Sequence, residues 1–235
     1  MKRLTPRLLL VLLAACAFSA SPARAQTLLF DYVGFDYESP DLNPSVFGDV
    51  GDGYQGVGEV PVLFAPLVAN QATYQYTYYF DGLTASLRQT VGQFVIINYS
   101  GPGTLTVYED LILGGTAGDY GINPPSGLAP PTFVDGTAIL VGNLTNFQYV
   151  FNTSTGSGSF ESDFEAVGGT QISNIPLNQR FGWTFAGTTG NSTTIPTGYD
   201  HQVDGQTFLK PPTATRPGTW GGIKDRYRSV NRSIH

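Results

Sequence analysis

Along most of the chain, hydrophobic and polar residues alternate with a period of two. The clearest case is Asn146 to Ala166, where Phe147, Tyr149 and Phe151 share one face and Gln148, Val150 and Asn152 the other. In the run that follows, Phe160, Phe164 and Ala166 point one way and Glu161, Asp163 and Glu165 the other. A tight turn at Thr155-Gly156 sets Phe151 opposite Phe160, Tyr149 opposite Ser162 and Phe147 opposite Phe164. A one-residue slip would bury the three carboxylates, so pattern and turn together predict an antiparallel hairpin, aromatic inside and acidic outside.

The same period recurs elsewhere. Thr27 to Glu38 is strand-like and carries an FDY triplet twice, at Phe30 and Phe35. Five residues separate the copies, which places them on opposite faces unless Gly34 marks a bulge. Gly56 to Ala65 is a further strand, with Pro61 marking it for an edge. Thr73 to Phe80 alternates with Tyr74, Tyr76 and Tyr78 on one face, and Asp81-Gly82 is a strong hairpin signal with Leu83 to Thr90 returning. Phe94 to Ile97 reads as a strand buried on both faces, and Thr104 to Leu113 as another. Gly114 to Val134, with two Pro-Pro pairs, is long for a connection in a compact domain. Beyond the hairpin, strands are expected at Gln171–Ile175, Phe181–Ala186 and Gln206–Leu209. About ten short strands and no sustained helical period predict an all-β fold. The meander-like spacing favours an antiparallel barrel or curled sheet, with a two-sheet sandwich as second choice.

The ends differ from this body. Lys2, Arg3 and Arg7 precede an apolar run from Leu8 to Ala20 and a small-x-small site at Ala23-Arg24-Ala25, the pattern of a signal peptide over residues 1–25. A competing reading makes Leu13-Ala14-Ala15-Cys16 a lipobox with a lipid anchor on Cys16. Cys16 is the single cysteine, so cleavage after Ala25 leaves no thiol for disulfides, nucleophiles or thiolate metal sites. The predicted domain spans 26–209, a proline-rich linker 210–218 and a basic tail 219–235. In the tail, Trp220, Ile223 and Tyr227 form one apolar stripe among Lys224, Arg226 and Arg228, predicting a docking element.

Charge sharpens the contrast. From Gln26 to Leu209, 17 carboxylates face only Arg88 and Arg180. Such a body repels nucleic acid, while the tail carries the opposite sign.

Little in the chain points to catalysis. There are two histidines, His201 and the terminal His235, and no nucleophile-elbow serine. His201 reads as a solvated loop residue. The carboxylates Glu109-Asp110 and the Glu161-Asp163-Glu165 row are the available pairs for glycoside hydrolysis. Asp49 and Asp52, three apart among glycines, are the candidate calcium ligands, although the spacing lacks the order of an EF-hand loop. Tyr74, Tyr76, Tyr78 and Trp183 are the candidate stacking platform for a sugar. Taken together, the residues predict an exported, non-enzymatic structural or binding module of the bacterial cell surface or periplasm with no cofactor, calcium at Asp49 and Asp52 being the alternative to a plain Gly/Asp-rich turn. Its partner would be a surface component, a glycan or a second copy. The alternative is a small-ligand- or carbohydrate-binding barrel with carboxylate-based hydrolase activity.

Overall fold

The computed structural model describes residues 27–121, 131–192 and 194–209. Nine strands are formed among them: β1 (Thr27–Glu38), β2 (Gly53–Leu63), β3 (Tyr74–Val91), β4 (Phe94–Ser100), β5 (Gly103–Leu111), β6 (Thr137–Asn152), β7 (Ser157–Gly168), β8 (Trp183–Gly190) and β9 (His201–Leu209). One four-residue helix, α1, covers Pro131–Val134. Every pairing is antiparallel, and β9 returns to pair with β1 from Thr27↔Leu209 to Asp36↔His201. The sheet is thereby closed into an eight-stranded up-and-down barrel, with β4 as an additional strand. β4 and β5 lie end to end in the slot between β3 and β6. β4 pairs with Thr84–Val91 and Gln148–Asn152, and β5 with Tyr74–Asp81 and Thr137–Leu144. Among the described residues, closure leaves no long free sheet edge to recruit another chain.

The alternation sends one side chain in two to the interior, and aromatic rings fill it. Tyr32 stacks on Phe185 with centroids 4.6 Å apart and meets Tyr78 edge-on at 5.1 Å. Tyr54 lies 5.4 Å from Phe80, and Phe147 stacks on Phe160 at 5.2 Å. An eight-stranded barrel has an interior that side chains can fill or that can hold one small ligand; here rings occupy it, and each contributes about 1.5–3 kcal/mol on full burial. The strands approach closely where the rings need room. A Cβ on Gly34 would stand 2.1 Å from the Val57 carbonyl oxygen and 2.7 Å from the Tyr78 hydroxyl.

A smaller core lies outside the wall. Tyr37, Val57 and Tyr79 point outward and are covered by Tyr120, Phe133 of α1 and Tyr199. The Thr77 hydroxyl donates to the Phe133 carbonyl at 2.8 Å, tying this cover to β3. The long segment after β5 thus serves, in its described parts, as packing over β1–β3. The two FDY copies face opposite ways, as the five-residue spacing predicts: Phe30 is inside, while Phe35 packs outside against Tyr120 and Tyr199. Gly34 is a close-contact position rather than a bulge; the β1–β2 register shifts at Asp31/Val33 instead. Pro61 falls beyond Glu59, the last β2 residue paired with β3, where no partner asks for its missing N–H.

Four local expectations are corrected, the first at Gln171–Ile175, where Ile172–Asn174 form a short 3-10 helix and not a strand. Asp81-Gly82 is not a hairpin turn: β3 runs through it, with Gly82 at φ +78° opposite a register shift in β2. The reversal comes later, at Gly92-Gln93, between the paired Val91 and Phe94. In the β6–β7 hairpin, Tyr149 pairs with Phe160 and Phe151 with Gly158, two residues away from the expected register. The loop holds four residues, not two, because the Asn152 side chain accepts the Ser154 N–H and Gly156 supplies the left-handed position at its end (φ +66°). Faces survive a two-residue shift, so Phe147, Phe160 and Phe164 are still interior. Asn146, at φ +55°, then absorbs one more residue, and Leu144 faces Phe164. Finally, Phe94–Ile97 is not buried on both faces, since Val95 and Ile97 point inward while Phe94 is exposed.

Candidate functional site

The loop between β1 and β2 folds over one end of the barrel. Its Phe47 enters between Tyr54, Tyr149, Phe151 and His201, with centroids 4.7–6.2 Å away. The loop is held by the Glu38 carboxylate, which accepts the Gly48 N–H at 2.6 Å, and by Arg88, whose Nε donates to the Phe47 carbonyl at 3.3 Å.

Beneath this plug lies a polar cluster inside the barrel. Asp36, fully buried, accepts the Tyr54 hydroxyl on Oδ2 at 2.7 Å. Its Oδ1 accepts the His201 backbone N–H at 2.8 Å and lies 3.1 Å from His201 Nδ1. His201 opens β9 and is buried, in contrast to the solvated loop position expected for it. Burial lowers the proton affinity of its ring, but the hydrogen bond and charge of Asp36, with Asp200, outweigh this and hold it above the ordinary value. Burial first, then the Asp36 charge, pushes the Tyr54 hydroxyl well up. Asp36 is thus a satisfied buried carboxylate with a paired imidazole, the form of a structural lock, since the Phe47 ring covers the imidazole from the loop side.

Beside the lock, Glu38, Asp41 and Asp52 each bring one carboxylate oxygen to within 4.8 Å of the others. They come from the end of β1, the loop and the residue before β2. Burial, opposed by the Gly48 N–H and reinforced by Asp52, Asp200 and Asp41, pushes the Glu38 carboxyl up to about 8. Asp52 is 0% exposed; its Oδ1 accepts the Leu42 N–H at 2.8 Å, and its Oδ2 is buried without a partner among the described residues. Of the two expected calcium ligands, Asp52 therefore belongs to a carboxylate cluster and Asp49 does not. Asp49 spends its oxygens on Asn43 Nδ2 and the Val50 N–H, shaping the loop. Glu38 and Asp41 have no motif spacing to announce them; closure of the loop brings them to Asp52.

The expected aromatic platform divides differently. Tyr78 and Trp183 are interior, and Trp183 donates its indole N–H to the Gln179 carbonyl at 2.6 Å. Tyr76 is buried too, and its hydroxyl donates to Glu109 at 2.9 Å. Tyr74 and the edge of Tyr76 line a depression of about 250 Å³ with Glu59, Gln71 and Gln75, where β2 and β3 diverge. The amides there are already engaged, Gln71 with the Pro61 carbonyl and Gln75 with Asp110 and the Thr116 carbonyl. Glu109 and Asp110 are consequently structural acceptors. Glu161, Asp163 and Glu165 stand exposed on the outer wall, and a groove of about 600 Å³ crosses that wall, lined by Gln148, Glu161, Thr188, Asp204 and Gln206. Cys16 and the tail residues Trp220, Ile223 and Tyr227 lie outside the described residues.

Comparison with protein-family models, with curated proteins and with solved structures returns no match for this chain.

Proposed function

We propose that the protein is an exported, non-enzymatic β-barrel module of the cell surface or periplasm, acting through its outer surface. The observation that carries this reading is the interior: aromatic rings pack the lumen, and Phe47 closes one end. A barrel that stores or converts a small ligand keeps a cavity, and its polar groups point into it. Here the interior carboxylate, Asp36, is used up by Tyr54 and His201. The outer wall supplies the working face. β7 displays Glu161, Asp163 and Glu165, with Asp204 across the groove on β9. A barrel wall embedded in lipid carries an apolar band in that place, so the acidic wall is suited to an aqueous partner: a glycan, a cationic surface component or the basic tail of a second copy.

The test is a thermal-shift screen of the full-length protein against mono- and oligosaccharides and small apolar ligands, with glycosidase substrates assayed in parallel. The module reading expects no binding or turnover that depends on an interior carboxylate. A ligand or activity lost in Asp36→Asn but kept in Glu161→Gln would instead support the lumenal ligand-binding barrel or hydrolase.

A further inference from the structure

The geometry points to a calcium-binding site formed by Glu38, Asp41 and Asp52, which clamps the β1–β2 loop over the end of the barrel. Three carboxylates from three consecutive segments converge there, each with an oxygen within 4.8 Å of the others. Calcium–oxygen distances of about 2.3–2.6 Å put ligands on opposite sides of the ion about 5 Å apart, so oxygens within 4.8 Å of one another are close enough to share one ion. The smaller magnesium ion demands near-ideal octahedral geometry at about 2.0–2.1 Å and gives up its water reluctantly, so an all-protein carboxylate site on a loop suits calcium better.

The second observation is independent of the clustering. Asp52 is fully buried, and its Oδ2 accepts no hydrogen bond among the described residues. A buried carboxylate oxygen is stabilised by a hydrogen-bond donor, a bound cation or a proton. Among the described residues, neither Arg88 nor Arg180 forms an ion pair with any of the three; the ion pair present is His201–Asp36. A cation held by all three carboxylates would supply the partner that Asp52 Oδ2 lacks among the described residues.

Placement gives the ion a role. Glu38 ends β1, Asp41 lies in the loop and Asp52 immediately precedes β2, so one ion ties both strand ends to the segment that carries Phe47. Binding in the range typical of extracellular modules, about 10⁻⁴–10⁻³ M, would keep the clamp closed outside the cell.

The experiment is calorimetric titration of full-length, chelator-treated protein with CaCl₂ and separately with MgCl₂, at fixed ionic strength. One saturable calcium per chain is expected, weakened at least tenfold in Asp41→Asn and in Asp52→Asn, and unchanged in Asp135→Asn, at an exposed position just after α1. Asp41 is exposed, so its variant reports on binding even if Asp52→Asn fails to fold. No saturable binding up to about 10 mM, equal binding of magnesium, or binding unaffected by Asp41→Asn would each overturn the assignment.

Discussion

Asp36 on β1 and His201 on β9 are 165 positions apart in sequence and meet inside the barrel, where Asp36 Oδ1 takes the His201 backbone N–H at 2.8 Å and lies 3.1 Å from the ring Nδ1. The contact joins the first strand to the last and so closes the barrel with a buried charge pair as well as a hydrogen-bond ladder. Removing one member of such a pair leaves the other uncompensated, which costs about 3–5 kcal/mol. Asp36→Ala is expected to lose that amount in urea denaturation, with Tyr54 and His201 both orphaned.

The same end of the barrel sets a pH dependence. The Glu38 carboxyl sits at about 8 in the folded protein against an ordinary 4.5, raised chiefly by burial. Below about pH 4.5 both states hold the proton and ionisation carries no penalty. As pH rises, the unfolded chain releases its proton first, so stability falls until the folded carboxyl also ionises near pH 8. His201, also raised, contributes stability that is complete below its unfolded value of 6.5 and is lost as pH rises through its folded value. Both effects have one sign. The denaturation midpoint in metal-free buffer should therefore be higher at pH 5.5 than at pH 8, and Glu38→Gln should flatten the slope. A midpoint that climbs over this range would contradict the account.

Close approach of β1 and β2 predicts a sharp contrast between two glycines. The added Cβ of Gly34→Ala meets the Val57 carbonyl oxygen at 2.1 Å, and backbone cannot yield as a side-chain tip can. A loss of about 3 kcal/mol or more is expected, at the upper end for overpacking. Gly190→Ala, at the end of β8, meets nothing within 4 Å and should be neutral or slightly stabilising. Soluble yield and urea midpoints of the two variants check this.

Phe47 is the loop's only aromatic contribution to the barrel end, packed on Tyr149, Phe151 and His201. Phe47→Ala should lose about 2 kcal/mol, the value for a ring of intermediate burial. It should also speed hydrogen exchange at the His201 amide, while amides of Phe160–Ser162 on β7 stay slow. Equal acceleration at both places would mean that the loop is no separate plug.

How much of this was legible beforehand depended on the range of each interaction. Alternation at Phe147, Tyr149, Phe160 and Phe164 reports which face is buried, because burial acts on every second residue whatever the strand pairs with. Register is another matter, since it follows from the turn, and Thr155-Gly156 looks like a two-residue reversal unless the Asn152 side chain is known to build a longer one. Asp81-Gly82 has turn chemistry yet lies within β3, where pairing on both sides overrides the local preference. The site was harder still. Asp52 carries a local signal in its glycine-rich turn, but Glu38 and Asp41 join it only through the folded loop. His201 meets Asp36 only because β9 closes on β1, and no window of sequence records that event.

Packing of the barrel interior underlies the functional reading, and Phe80 probes it most directly, lying among Tyr54, Tyr78, Phe147 and Phe185. The measurement is the unfolding free energy of Phe80→Ala against the parent protein in urea. A filled core predicts a loss of about 3–5 kcal/mol, the range for deleting a fully buried phenylalanine. A loss below about 1 kcal/mol would mean that the ring borders open space, and the lumen would then be a binding cavity rather than a core.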